Sequence, residues 1–69
     1  MIVFNITRET DKLNTAKRTI KSLTIGDEVH FFNCLAEKIG KDKFQIKIGH
    51  KPTMIVKTDF IIQYIEKYF

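Results

Sequence analysis

Between residues 41 and 57 lie five lysines, Lys41, Lys43, Lys47, Lys51 and Lys57, together with His50 and a single acid, Asp42. Ammonium groups on a short hairpin present positive charge to a phosphate backbone, and the counterions they displace favour binding. The other constellation with chemical potential is His30 and Cys34, four residues apart, which a helix would bring side by side. A nucleophile–base pair also needs an orienting third group and an oxyanion site, and neither is evident in the sequence. His30 and His50 have no second ligand at metal spacing, and a lone cysteine excludes both a thiolate cage and an intrachain disulfide. With no glycine loop to cradle phosphates, the chain is expected to be no enzyme and to carry no cofactor. Cys34 reads as a small buried apolar residue.

The elements that position these groups must come from one domain spanning residues 1–69. A hydrophobic content of 43% with 29% charged residues describes a folded chain with a small core. The net charge of +4 biases it mildly toward anionic partners. The start, Met1 to Ile6, lacks the basic lead and apolar length of a signal peptide, and no run approaches a membrane span. A cytoplasmic location is therefore expected.

Ile2, Val3, Phe4 and Ile6 make a β-type run that ends at the polar cluster Thr7 to Asp11. Leu13, Ala16, Ile20 and Leu23 follow at helical spacing, with Asn14 or Thr15 as caps and Lys12, Lys17, Arg18 and Lys21 on other faces. Residues 24–40 are ambiguous. Val29, Phe31 and Phe32 favour a strand by propensity. On a helical wheel, however, Val29, Phe31, Phe32, Leu35, Ala36 and Ile39 share one arc, opposite His30, Asn33, Glu37 and Lys38. Strict alternation fails at Asn33 and Glu37, Thr24 or Asp27 suits a first turn, and Gly40 suits a stop, so the pattern predicts a helix over residues 27–39. From Lys43 the period is two: Phe44, Ile46 and Ile48 alternate with Gln45 and Lys47, Gly49 to Pro52 is a turn, and Met54 to Val56 return. Thr58 or Asp59 then caps a helix whose face holds Phe60, Ile61, Tyr64, Ile65 and Tyr68.

The order strand, helix, helix, β-hairpin, helix is that of a small α+β winged helix-turn-helix, with Gly26 at the tight turn. From Thr15 onward the chain resembles the excisionase family, the recombination directionality factors of phages and conjugative transposons. The matching pieces are Ile25-Gly26-Asp27, Leu35-Ala36-Glu37, Ile46-Lys47-Ile48-Gly49, and Ile55-Val56-Lys57 leading to Phe60. The resemblance implies a non-enzymatic protein that binds double-stranded DNA and assists an integrase or recombinase in excision, or regulates transcription. Asp27, Glu28 and Glu37 on the would-be recognition helix depart from a surface suited to phosphates, and the strand Ile2 to Ile6 is no obvious part of the family pattern.

On that reading Lys41, Lys43, Lys47, His50 and Lys51 of the wing contact phosphates, while His30, Asn33 and Lys38 face the groove. Lys17 and Arg18 flank it on the first helix. The plain alternative for each is a solvated side chain, and Phe4, Phe31, Phe32, Phe44 and Phe60 read as core. A second function class is a small protein-binding inhibitor or adaptor of a mobile element, acting on a host protein. Its interface would be the strand Ile2 to Ile6 or the aromatic end at Tyr64, Tyr68 and Phe69, which also suits a homodimer contact or cooperative assembly on DNA. If residues 28–37 are a strand instead, the fold becomes a small antiparallel meander flanked by two helices. Groove reading then fails and the protein-binding class leads.

Overall fold

The computed structural model describes residues 2–7, 9 and 12–69. Its elements run β1 (Val3–Ile6), α1 (Leu13–Ser22), β2 (Glu28–Phe31), β3 (Cys34–Gly40), β4 (Lys43–Ile48), β5 (Met54–Val56) and α2 (Thr58–Tyr68). The strands form one five-stranded sheet in the order β1-β2-β3-β4-β5. β1 and β2 are parallel, joined by α1 as a crossover, and the remaining pairs are antiparallel. Both helices bury their apolar sides, Ala16 and Ile20 from α1 and Ile61, Ile62 and Ile65 from α2, in the core cluster formed on one face of the sheet.

The winged helix-turn-helix expectation is overturned, because residues 28–40 are two strands and no second helix precedes the hairpin. Val29 and Phe31 are buried and His30 is exposed; after a two-residue turn at Phe32-Asn33, Cys34 and Ala36 are buried and Leu35 is exposed. The turn resets the phase of the alternation. A single strand would have put Asn33 and Glu37 among the apolar residues; a hairpin does not. β-branched and aromatic side chains then gain what their propensity favours, a pleated surface with one face against helices.

Phe32 in that turn has φ of 55°, a left-handed conformation that bulky residues rarely adopt. Ring contacts hold it there: its centroid lies 5.9 Å from that of Phe31 and 6.3 Å from that of Phe69, both edge-on. Ile25-Gly26-Asp27 is a turn, as expected, but it leads into a strand. Asp27 N–H donates to the Thr24 carbonyl at 3.0 Å, with Gly26 at φ 98°, the geometry of a type II turn that needs glycine at this position.

The caps also differ from expectation. Thr24 and Asp27 cap no helix; they bond to each other. α1 starts with Lys12 as N-cap and no side-chain cap, so Asn14 and Thr15 fall inside its first turn. At α2 the N-cap is Lys57, and the cap bond comes from afar: Asp42 Oδ1 accepts the Thr58 N–H at 3.1 Å. This pins the β3–β4 turn to the last helix, and it holds the Asp42 carboxyl below its ordinary pKa through the Thr58 hydrogen bonds. The first strand, the first helix, the β4–β5 hairpin and the last helix fall where the sequence places them. The polar cluster ending β1 lies outside the described residues except for Thr7 and Glu9.

Candidate functional site

One face of the sheet carries the helices; among the described residues no helix or strand packs on the other. Strand alternation and register fix what the open face displays. One row across the strands reads Val3, Glu28, Glu37, Gln45, Ile55. The next reads Asn5, His30, Leu35, Lys47. Lys43 lies on the same side of β4 as Gln45 and Lys47, and all three are exposed.

At the centre of this face two carboxylates oppose each other. Phe31 and Cys34 flank a two-residue turn and so form a hydrogen-bonded pair, and pairs alternate along the hairpin. Glu28 and Glu37 therefore occupy a non-hydrogen-bonded pair, where Cα atoms approach to about 4.5 Å and side chains are closest. Neither acid has an ion-pair partner among the described residues, where the one salt bridge is Lys17–Glu66 between the helices. Glu28, Glu37, Leu35, Gln45, Lys47 and Thr53 line a shallow depression of about 110 Å³. Leu35 stands in it 39% exposed. Toward β1 the face continues into a wider open cleft of about 570 Å³, where Asn5 and His30 meet Glu9 and Phe32.

The face is thus split by charge. Its β1–β2–β3 half presents Glu9, Glu28 and Glu37; its β4 half presents Lys43 and Lys47. The strand phenylalanines are off this face, because Phe4, Phe31 and Phe44 sit at the alternate, helix-facing positions.

The candidate DNA contacts are scattered over several surfaces. His30, Lys43 and Lys47 are on the open face. Lys41 is in the β3–β4 turn at one end of the sheet, and Asn33, His50 and Lys51 are in turns at the other, where the Asn33 carbonyl accepts the Gly49 N–H at 2.9 Å. Lys17 and Arg18 ride on α1 behind the sheet, with Lys17 held by Glu66 at 3.1 Å. Lys38 is engaged inside: its Nζ donates to the Leu23 carbonyl at 2.9 Å and lies 6.0 Å from the Phe44 ring centroid. It closes the C-terminal end of α1 and is no free phosphate ligand.

His30 and Cys34 do not meet as a pair. They are on adjacent strands and opposite faces, His30 in solvent and Cys34 in the core. Burial pushes the Cys34 thiol above its ordinary pKa. Tyr64, with the Cys34 thiol beside it and partly buried, is pushed up to about 12. Both are packing groups under α2, where Tyr64 meets Phe31 edge-on at 5.9 Å. The aromatic end is likewise divided: Tyr64 and Phe69 pack against the core, whereas Tyr68 and Phe60 are exposed.

The face is braced at its β2 end by Asp27, only 7% exposed. Its Oδ2 accepts from Thr24 N–H at 3.0 Å and Thr24 Oγ1 at 2.9 Å, and its Oδ1 accepts from Ile2 N–H at 3.3 Å. The Thr24 bonds foremost hold its carboxyl below the ordinary value. One side chain thus ties the start of β1 to the turn before β2. Sequence reading missed the Glu28–Glu37 pair; its only signal was a charge pattern that becomes visible once the strand register is known.

Among the described residues no group of three or more His, Cys, Asp or Glu is placed to hold a metal, and no helix is long and apolar enough to cross a membrane. Comparison with protein-family models, curated proteins and solved structures gave no match.

Proposed function

We propose that the chain is a small, non-enzymatic protein-binding module, an inhibitor or adaptor, that docks a partner on the open face of its sheet. The partner presents a lysine or arginine to Glu28 and Glu37, with an apolar neighbour against Leu35. The observation that carries this reading is the facing carboxylate couple, without an ion-pair partner among the described residues, on the sheet face opposite the helices. Two facing carboxylates repel each other and are relieved by a cation, and a guanidinium bonds carboxylates in a charge-assisted fork. The split into acidic and basic halves gives a partner one favoured orientation. The carboxylates disfavour nucleic acid there, because they repel phosphates.

The test is selection of a phage-displayed random peptide library on the immobilised protein, followed by NMR titration with the selected peptides. Peptides carrying Lys or Arg beside apolar residues are expected, shifting the amides of Glu28, His30, Leu35, Glu37 and Gln45. Glu28→Lys is expected to weaken them by about tenfold or more. Selected peptides that bind Glu28→Lys as well as wild type overturn the proposal.

A second reading keeps double-stranded DNA as partner, favoured by the exposed tip His50-Lys51 of the β4–β5 hairpin, with Lys47 nearby. It predicts duplex binding that falls steeply between low and moderate salt. Failure to bind duplex DNA at low salt removes it.

A further inference from the structure

The two edges of the sheet are not alike. β5 is guarded: it has three residues, with Lys51 and Pro52 before it and Lys57 after it. Short length, lysine and proline are the usual devices that keep an edge from pairing. β1, of four residues, has neither lysine nor proline. Ile2 to Thr7 contains neither charge nor proline, and Ile2 is 57% exposed.

The hydrogen bonds of β1 show which groups are free. Glu28 N–H donates to the Ile2 carbonyl at 2.9 Å. With the parallel register Val3↔Glu28 to Ile6↔Phe31, the Ile2 C=O, Phe4 N–H and C=O, and Ile6 N–H all turn toward β2. The N–H and C=O of Val3 and Asn5 therefore point outward.

We infer that β1 pairs antiparallel with β1 of a second copy, centred on Phe4, joining two five-stranded sheets into one. The pattern is self-complementary, as an isologous interface requires. With the two-fold at Phe4, Val3 of each copy faces Asn5 of the other. These are the residues whose outward N–H and C=O groups can exchange paired bonds. Phe4 faces Phe4 in the closer, non-hydrogen-bonded position, and Ile2 faces Ile6. On the helix side the seam is apolar throughout, and it would cover the exposed Ile2 and the half-buried Phe4. No charge within the strand opposes its twin. An edge of this length makes a small interface, so the dissociation constant is expected on the order of tens of micromolar. The inference does not depend on what the open face binds.

The test is sedimentation of the full chain from micromolar to millimolar concentration, for wild type, Ile2→Lys and Asn5→Pro. Ile2 is largely exposed, so Ile2→Lys should fold as wild type does; it adds a seam charge. Asn5→Pro deletes an outward N–H and leaves the bonds to β2 intact. Circular dichroism checks both folds. The expected result is a monomer–dimer equilibrium that each variant shifts toward monomer by about tenfold or more. Phe4→Cys is further expected to form a disulfide dimer on oxidation, while Glu66→Cys on α2 does not. A wild-type chain that stays monomeric at millimolar concentration overturns the pairing and leaves β1 to an extended segment of another protein. A dimer that persists in both variants overturns it too, placing the contact elsewhere, as at the exposed Phe60 and Tyr68.

Discussion

Glu28→Lys tests the sheet and its open face in one substitution. Glu28 faces Glu37 across β2 and β3, and the next residues in the row, Val3 beside Glu28 and Gln45 beside Glu37, carry no charge. Wild type therefore holds a like-charge cross-strand pair with no compensating cation beside Glu28. Cross-strand charge pairs are worth roughly 0.2–1 kcal/mol, and reversing one charge both removes the repulsion and adds an attraction. The stability gain should be about 0.5–1.5 kcal/mol at low ionic strength. For 69 residues the unfolding entropy near the midpoint is about 0.14 kcal/mol/K, so Tm should rise by about 3–10 °C. Glu28→Gln should give about half of that. In 1 M salt the Debye length falls to about 3 Å and most of the gain should vanish. Thermal unfolding followed by circular dichroism at both salt concentrations measures all of this. The sign is decisive. Were residues 27–39 a helix, Glu28 would sit in its first turn, where lysine opposes the macrodipole, and Tm would fall. A fall, or no change at low salt, refutes the facing-carboxylate geometry.

Two further substitutions probe the struts behind the face. Asp27 has a lowered folded-state pKa, so the unfolded chain binds its proton more readily; its contribution is complete above the ordinary carboxyl pKa of 3.8 and is lost as pH falls through the lower folded value. Asp27→Asn should therefore lower the urea midpoint at pH 7, and the gap to wild type should close in acid below both values; a gap that persists there would contradict the role given to its charge. Lys38→Met removes the donor to the Leu23 carbonyl and should cost about 1–2 kcal/mol in urea unfolding. If duplex DNA binds at all, this substitution should leave the affinity unchanged once the fold is intact, because the ammonium is engaged within the protein.

Much of the fold is legible in the residues, and the failure has one location. α1, β4 and α2 each have a single period along their length, so apolar spacing identifies them, while β1 and β5 are short apolar runs bounded by polar or turn residues. Residues 28–40 contain two periods of two separated by a turn that shifts the phase. Summed over the whole segment, the apolar positions 29, 31, 32, 35, 36 and 39 fall on one helical arc, although Leu35 is exposed in the hairpin. The turn itself gives no signal, since Phe32-Asn33 lacks glycine and puts a phenylalanine at positive φ, where tertiary ring contacts override local preference. The site was hidden for a related reason. Lysines clustered in sequence from 41 to 57 are divided in space between two ends of the sheet and its open face. Glu28 and Glu37, separated by a turn and most of a strand, become neighbours. Lys38 looked like a groove-facing cation because a helix would have turned it outward; its place opposite Phe44 turns it inward.

The central claim is an uncovered sheet face with Glu28 directly opposite Glu37, and nuclear Overhauser contacts between α-protons report on it. The account predicts strong cross-strand contacts between the α-protons of Glu28 and Glu37 and between those of His30 and Leu35, the two non-hydrogen-bonded pairs. Sequential amide–amide contacts running from Glu28 to Ile39, with the medium-range pattern of a helix, would contradict it.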